Sequence, residues 1–240
     1  MRYAIIADIH SNLEGLEAVL EDIKTKNCDQ IVCLGDVVGY GANPKECLMI
    51  VRDLNIPCVK GNHDEYCSTN EPTEGFNPHA ADAIQWTRKR LNEDEKKWLR
   101  DLKYIRLVAN FTLVHATLDA PQRWGYVFDK LMAAASFTYQ NTNVCFFGHT
   151  HVPLAFIRDS VVRGGTYSKF KVEPGKKYFV NVSSVGQPRD NNPKAGYVIY
   201  DMNEMTIELH RVDYDIKKAE AKIIAAGLPR RLADRLAIGK

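Results

Sequence analysis

Five short apolar runs along the chain each end in residues that can bind metals or move protons. The segment FFGHTH, residues 146–151, places His149 and His151 two positions apart. The segments ADIH, LGD, GNHD and LVHA end in the same manner and contribute Asp8, His10, Asp36, Asn62, His63, Asp64 and His115. Imidazole, carboxylate and amide groups without thiolate suit Mn²⁺, Fe, Zn²⁺ or Co²⁺ and do not resemble a cysteine-type structural zinc site.

The number of these groups indicates more than one ion. The set is too large for one tetrahedral metal, but it fits two ions that share a bridging carboxylate and a bridging water. Two ions ~3.5–4 Å apart can stabilise both the attacking and the leaving oxygen of an in-line displacement at phosphorus. The residue types therefore predict phosphoryl chemistry at a dinuclear centre.

The elements that must position these residues alternate in the first part of the chain. Residues 2–65 follow a β-α-β-α-β pattern, with apolar runs that end before Asp8, Asp36 and Asn62. Residues 77–102 have helical spacing in two pieces that divide near Asn92, and the strands FTLVHA and VCFFGH enclose the helix DKLMAAASFTYQ. Loops after the carboxyl ends of parallel strands gather at one sheet edge, so we expect the polar residues to meet there.

The pattern changes after His151. Four strand-like runs, PLAFIRD, KKYFVNVSSV, AGYVIYDM and MTIELHRVDY, are joined by turn residues without helices, which predicts an antiparallel meander. Residues from about 215 to 240 return to a helical pattern. A parallel half and an antiparallel half must each bury an apolar face, so we predict an α/β fold: a two-sheet β-sandwich flanked by helices, in the layer order α/β/β/α, with residues 1–240 as a single domain.

The motifs D-x-H, G-D, G-N-H-D, H and G-H-x-H, in this order over residues 8–151, resemble the calcineurin-like metallophosphoesterase superfamily. The similarity is greatest to its small prokaryotic phosphodiesterase and diadenosine-tetraphosphatase-like branch. VGYGANP after Asp36 and SVGQPRDNNPKAGY near residue 190 extend it through most of the chain. The resemblance implies a phosphodiesterase for nucleotide or dinucleoside polyphosphate substrates, in which a hydroxide that bridges two metals attacks phosphorus and a phosphate product leaves. Mn is expected first, with Fe, Zn, Co, Ni or Mg as alternatives.

The same resemblance assigns roles to residues. It implies that one ion is held by Asp8, His10, Asp36 and His151, and that the other is held by Asp36, Asn62, His115 and His149. Asp36 would bridge the two ions. His63 would be the general acid, oriented by Asp64, and Arg189 would bind substrate phosphate at the mouth of the site.

Three alternatives stay open at this stage: a Ser/Thr-type phosphomonoesterase, a nuclease and a non-catalytic metal-binding scaffold of the same fold. The protein-phosphatase branch follows G-D with a downstream D-R-G, whereas VVGYGANP follows Asp36 and has no such arginine. A scaffold tends to lose the histidine at the position of His63 or some ligands, and none is missing here. Trp124 lies in a predicted loop, where it could flank the substrate.

Charge and composition exclude other classes. The net charge is +2, from 32 basic and 30 acidic residues, and there is no basic stripe, so nucleic acid is not favoured as a partner. No apolar run is long enough to span a membrane, and the N-terminus enters a strand pattern directly, so we expect a cytoplasmic protein. The six cysteines form no C-x-x-C pair and are expected to be buried free thiols.

Overall fold

The computed structural model describes residues 1–240, which form two β-sheets covered by helices. The strands are β1 (Arg2–Ile6), β2 (Gln30–Cys33), β3 (Ile105–Val108), β4 (Phe111–Val114), β5 (Val144–Phe147), β6 (Leu154–Arg158), β7 (Val162–Thr166), β8 (Lys169–Lys171), β9 (Lys177–Asn181), β10 (Ala195–Asp201) and β11 (Thr206–Val212). The helices are α1 (Leu13–Lys24), α2 (Pro44–Asp53), α3 (Asn62–Ser68), α4 (Pro78–Arg88), α5 (Glu93–Asp101), α6 (Lys130–Tyr139), α7 (Ile216–Ala225) and α8 (Arg230–Asp234). Pro121–Arg123 and Leu236–Ile238 form 3-10 turns.

The core is divided into layers by the alternation of side chains along the strands. In β1, Tyr3 and Ile5 point into a cluster between the two sheets, where they meet Phe111 and Phe146 of the second sheet. Ala4 and Ile6 point to the other side, where helices α1 and α2 pack. Helix α6 covers the outer face of the second sheet. The predicted α/β/β/α sandwich is therefore confirmed.

Both sheets are mixed, and this corrects the predicted division into a parallel and an antiparallel half. The first sheet has the order β2-β1-β10-β11-β8, and the second has the order β3-β4-β5-β9-β6-β7. In the first, β1 is parallel to β2 and antiparallel to β10, and in the second, β9 is parallel to β5 and antiparallel to β6. The strands after His151 thus join both sheets. Their apolar patterns predicted that they are strands but not which partners they choose.

The predicted helices after residue 77 are present. Asn92 caps α5: its side chain accepts the Glu95 N–H at 2.9 Å, and the Glu95 carboxylate accepts the Asn92 N–H at 2.7 Å. The last strand of the β-α-β-α-β pattern predicted for residues 2–65 does not form, because in the run IPCVKGN before α3 only Cys58 and Val59 make isolated bridges, and α3 begins at Asn62. The GNHD motif therefore lies at a helix start. The helices are too short or too polar to span a bilayer.

Candidate metal centre

The polar residues that follow the strands converge at one edge of the sandwich and are almost fully buried. Asp8 Oδ1 lies 3.3 Å from His151 Nε2. Asp36 Oδ2 lies 3.5 Å from His10 Nε2 and 3.4 Å from His115 Nε2. Two of the clusters that could hold a cation correspond to the predicted sites: Asp8, His10 and His151 form one, and Asp36, His115 and His149 form the other.

Four of the five site histidines are fixed by a backbone carbonyl. One ring nitrogen of each donates to such an oxygen: His10 Nδ1 to Val38 at 3.2 Å, His115 Nδ1 to Leu34 at 2.7 Å, His149 Nε2 to Trp124 at 2.9 Å and His151 Nδ1 to Gln187 at 2.6 Å. A carbonyl only accepts hydrogen bonds, so these nitrogens carry the protons. In a neutral imidazole the other nitrogen then presents a lone pair, which is the arrangement of metal-binding histidines.

The remaining nitrogens require a positive charge between them. His10 Nε2 and His151 Nε2 are 3.1 Å apart, and with both Nδ1 atoms protonated their lone pairs face each other. Two further buried atoms, Asn62 Oδ1 and His115 Nε2, have no hydrogen-bond partner. Lone pairs that converge in a buried space are unfavourable unless a cation or proton lies among them. The donor set therefore fits divalent metals, and the carbonyl contacts that create it have no signal in the sequence.

The charges of the titratable groups agree with this geometry. Burial lowers the pKa of His10, His149 and His151, so these rings are neutral at pH 7 and free to coordinate. Burial acts in the same direction on His115, but the attraction of Asp36 and Asp8 outweighs it and raises the pKa to about 10. The proton on His115 supplies positive charge in a position that a metal would take.

Asp36 lies between the two clusters and is held tightly from the backbone side. Its Oδ1 accepts the N–H of His63 at 2.8 Å, which leaves Oδ2 between His10 and His115. The Gly61 backbone lies against this carboxylate so closely that a Cβ there would overlap Asp36 Oδ1. The glycine of GNHD is therefore required for the close approach of this loop to Asp36.

The backbone is strained where it presents the candidate ligands. Asp8, His10, Asp36, His149 and His151 all have left-handed conformations, with φ between 49° and 66°. This conformation costs roughly 1–2 kcal/mol for a residue with a side chain. Strain of this kind persists only where the surrounding structure imposes it, and it concentrates at functional sites.

The predicted contact between Asp64 and His63 is absent. The Asp64 carboxylate accepts four backbone N–H groups, from Asp36 at 2.8 Å, Val37 at 2.9 Å, Val38 at 3.3 Å and Gly61 at 3.0 Å. Burial and the nearby Asp36 raise the pKa of Asp64 to about 7, against the effect of these donors. Asp64 therefore holds the loop that carries Asp36, because at the third position of α3 its side chain points back to that loop and not to its neighbour.

His63 differs from the other four histidines because no carbonyl fixes its ring. Its Nδ1 is buried without a hydrogen-bond partner, against Gly39. The ring is held by packing: its centroid lies 4.3 Å from the Tyr40 ring and 4.8 Å from the His10 ring. Distance alone also allows His63 to share a cation with His10 and Asp36. The missing carbonyl partner is the feature that separates it from the other histidines.

A cleft of about 330 Å³ opens over the centre. Arg189 lines it, as expected, with its guanidinium carbon 5.7 Å from the Tyr40 ring and one Nη donating to Gln187 Oε1 at 2.8 Å. Trp124 also lines the cleft, as its loop position suggested. The sequence did not indicate nine other residues of the wall: Tyr40, Tyr66, Glu74, Gly75, Phe76, Asn77, Ala80, Arg123 and Tyr126. The Tyr126 ring stacks on His149 at 4.2 Å, a contact between distant segments that no local pattern reveals.

Comparison with known proteins agrees with the geometry. Residues 1–205 match the calcineurin-like phosphoesterase superfamily domain. An uncharacterised protein of Methanocaldococcus jannaschii is 42% identical over 99% of this chain and 98% of its own length.

Two solved structures have the same fold over the whole chain. A metallophosphoesterase from Sphaerobacter thermophilus is 38% identical, with a TM-score of 0.89 over 100% of this chain and 99% of its own. A hypothetical protein from Pyrococcus horikoshii is 19% identical, with a TM-score of 0.82 over 100% of this chain and 98% of its own. Since the family match covers most of the sequence and includes every residue of the candidate metal centre, the chain belongs to the calcineurin-like phosphoesterase superfamily.

Proposed function

We propose that this protein is a phosphodiesterase that depends on two divalent metal ions and acts on nucleotides or dinucleoside polyphosphates. The observation that carries the proposal is the pair of clusters that meet at Asp36, each with a carboxylate and two imidazoles that direct one ring nitrogen inward. One ion would be held by Asp8, His10, Asp36 and His151, and the other by Asp36, Asn62, His115 and His149. Mn²⁺ is the first choice.

Bound ions of this kind polarise a phosphoryl oxygen and lower the pKa of a water. The protein's own residues then orient the ester. The positive charge of Arg189 at the cleft suits a phosphate oxygen, and a planar guanidinium can bind two such oxygens at once. Its guanidinium carbon lies 5.7 Å from the Tyr40 ring centroid, and both residues line the cleft.

We assign His63 to the leaving oxygen as a proton donor. Burial lowers the pKa of His63 to about 4, although the Asp36 charge acts against this shift. Holding its proton at pH 7 would therefore cost roughly 4 kcal/mol. The negative charge of a phosphate ester beside the ring favours the protonated form and reduces this cost. The proton donor role thus depends on bound substrate.

The preference for nucleotide substrates is supported by the walls of the cleft. Aromatic side chains line it, namely Tyr40, Tyr66, Phe76, Trp124 and Tyr126. A nucleobase that stacks on an aromatic ring gains roughly 1–3 kcal/mol. A phosphorylated serine side chain has no flat group that would use these rings.

The proposal is tested with protein stripped by chelator and then reconstituted with Mn²⁺. Rates on bis(nitrophenyl) phosphate, nitrophenyl phosphate, a phosphopeptide and a dinucleoside polyphosphate are compared, and metal content is measured alongside. We expect activity to return with two ions per chain and diester kcat/KM to exceed that of the monoesters. Saturation at one ion would refute the dinuclear centre, and a strong preference for the phosphopeptide would move the protein to the phosphomonoesterases.

A further inference from the structure

A second cavity of about 460 Å³ adjoins the cleft over the candidate metal centre. The two share Tyr40, Asn77, Tyr126 and Arg189 as walls. We call this second cavity the annex. Its far side is formed by the C-terminal segment, which supplies Arg231, Leu232, Asp234, Arg235, Ile238 and Lys240. These residues lie beyond the family domain, which ends at residue 205.

The annex is rich in positive charge that carboxylate side chains do not neutralise. Arg189, Arg231, Arg235 and Lys240 all line it, and none of these side chains forms an ion pair with an aspartate or glutamate. The one acidic residue in its wall, Asp234, instead lies 3.5 Å from Arg230, which is outside the annex. Arg235 donates from Nε to the main-chain oxygen of Lys240 and leaves its other nitrogens free.

Two further observations show that the close approach of these cations is energetically unfavourable. Arg189 Nε is buried without a hydrogen-bond partner. Burial lowers the pKa of Arg235 to about 10, and the charge of Arg189 contributes to this shift. Elsewhere, surface arginines such as Arg52 and Arg163 pair with aspartates. An anion in the annex would relieve both the unpartnered donor and the repulsion between like charges.

Tyr40 and Arg189 line both the annex and the cleft over the candidate metal centre. The Tyr40 ring centroid lies 4.7 Å from the His10 ring centroid, 4.3 Å from that of His63 and 5.7 Å from the Arg189 guanidinium carbon. An anion in the annex is therefore a near neighbour of a phosphate at the metals. A single substrate can reach both.

We propose that the annex is a subsite for a second phosphate group, so that the preferred substrates carry a phosphate beyond the one that is cleaved. This inference rests on the proposed function and narrows it to polyphosphorylated nucleotides, including dinucleoside polyphosphates. Simple diesters would use the metal centre alone.

The test uses the metal-reconstituted full chain, freed of excess metal, and compares Arg231→Gln and Arg235→Gln with Arg106→Gln. Arg231 and Arg106 are both exposed, but Arg106 lies on β3 outside the annex and forms no ion pair, so Arg106→Gln is the matched control. Arg235 is half-buried, so its variant is first checked for an unchanged unfolding temperature. Binding of tripolyphosphate and of orthophosphate is measured by calorimetry at low and high salt.

We expect each annex variant to weaken tripolyphosphate binding by about tenfold, the size of one charged hydrogen bond. Binding of orthophosphate, which fits at the metals, should change less, and Arg106→Gln should match the wild type. In kinetics, the ratio of KM for a nucleoside polyphosphate to KM for bis(nitrophenyl) phosphate should rise by a similar factor in the annex variants.

The two proposals fail in different ways. If bis(nitrophenyl) phosphate is hydrolysed but Arg231→Gln and Arg235→Gln bind tripolyphosphate like the wild type, the annex subsite is wrong and the phosphodiesterase proposal stands. If the wild type hydrolyses no phosphoester while the annex variants still lose tripolyphosphate binding, the phosphodiesterase proposal is wrong and the anion site stands.

Discussion

Replacement of Asp64 by asparagine is expected to destabilise the whole protein and to loosen the metals, because this side chain organises the loop that carries Asp36. Its two oxygens accept four backbone N–H groups: Oδ2 those of Asp36 and Gly61, and Oδ1 those of Val37 and Val38. Asparagine keeps one oxygen and presents an amino group in place of the other. In either orientation of the amide, its amino group then faces two buried backbone N–H groups that have lost their acceptor.

The cost follows from those two donors. Each buried N–H left without an acceptor costs about 1–3 kcal/mol, so Asp64→Asn should lose roughly 2–6 kcal/mol of stability. For a chain of this size, 1 kcal/mol shifts the unfolding temperature by roughly 2–4 °C. The expected decrease is therefore about 4–24 °C, well outside the error of a thermal melt.

The assay is thermal unfolding of the metal-free protein, followed by circular dichroism. It is run at about pH 8, where a carboxyl with a pKa of about 7 is ionised. Asp82→Asn is the matched control, because Asp82 is exposed on α4. If Asp64→Asn unfolds at the wild-type temperature and keeps its metals, but loses turnover as a His63 variant does, then Asp64 acts through His63 and the structural role assigned to it is wrong.

Three further predictions test the roles of individual residues, namely His115, Asp36 and His63. Because the metal-free protein carries a proton on His115, whose pKa is about 10, metal binding at pH 7 should release close to one proton, and the affinity for metal should rise about tenfold per pH unit below that pKa. Calorimetry in buffers of different ionisation enthalpy counts the released protons, and a count of zero would contradict the protonated state of His115. Asp36→Asn should weaken the binding of both ions, whereas Asn62→Ala should weaken chiefly one, as measured by metal analysis. Two tightly held ions in Asp36→Asn would exclude a bridging carboxylate. His63→Gln should keep both metals and slow alkyl diesters by about 10²–10⁴ but nitrophenyl esters much less; loss of a metal, or an equal effect on both esters, would make His63 a ligand or a phosphate binder.

The sequence was sufficient to predict which residues meet in the candidate metal centre. The apolar runs before Asp8, Asp36, His115 and His149 mark strands, and the carboxyl ends of parallel neighbours must share an edge. The structure confirms these neighbours, with β1 beside β2 and β4 beside β5. The prediction succeeded because it depended on strand direction and not on strand order.

The partition of the later strands could not be predicted in the same way. β10 is buried along six of its seven residues, since one face meets the other sheet and the other face meets helices. Such a strand has no alternation to indicate its neighbours. Its place between β1 and β11 is decided by long-range packing, and the same limit explains why the parallel pairing of β9 with β5 was missed.

The backbone conformations and ring contacts of the centre could not be predicted for a different reason: the local conformational preferences of these residues oppose them. Asp8, His10 and His151 adopt a backbone conformation that their side chains disfavour, and the Nε2 atoms of His10 and His151 lie 3.1 Å apart. Each feature is unfavourable in a metal-free chain, and the binding energy of cations between the groups would offset its cost. Stability and metal binding are therefore linked, since ions that bind the folded state alone must also stabilise it. Local conformational propensities describe the chain without those ions, so they fit least well the residues on which the proposed chemistry depends.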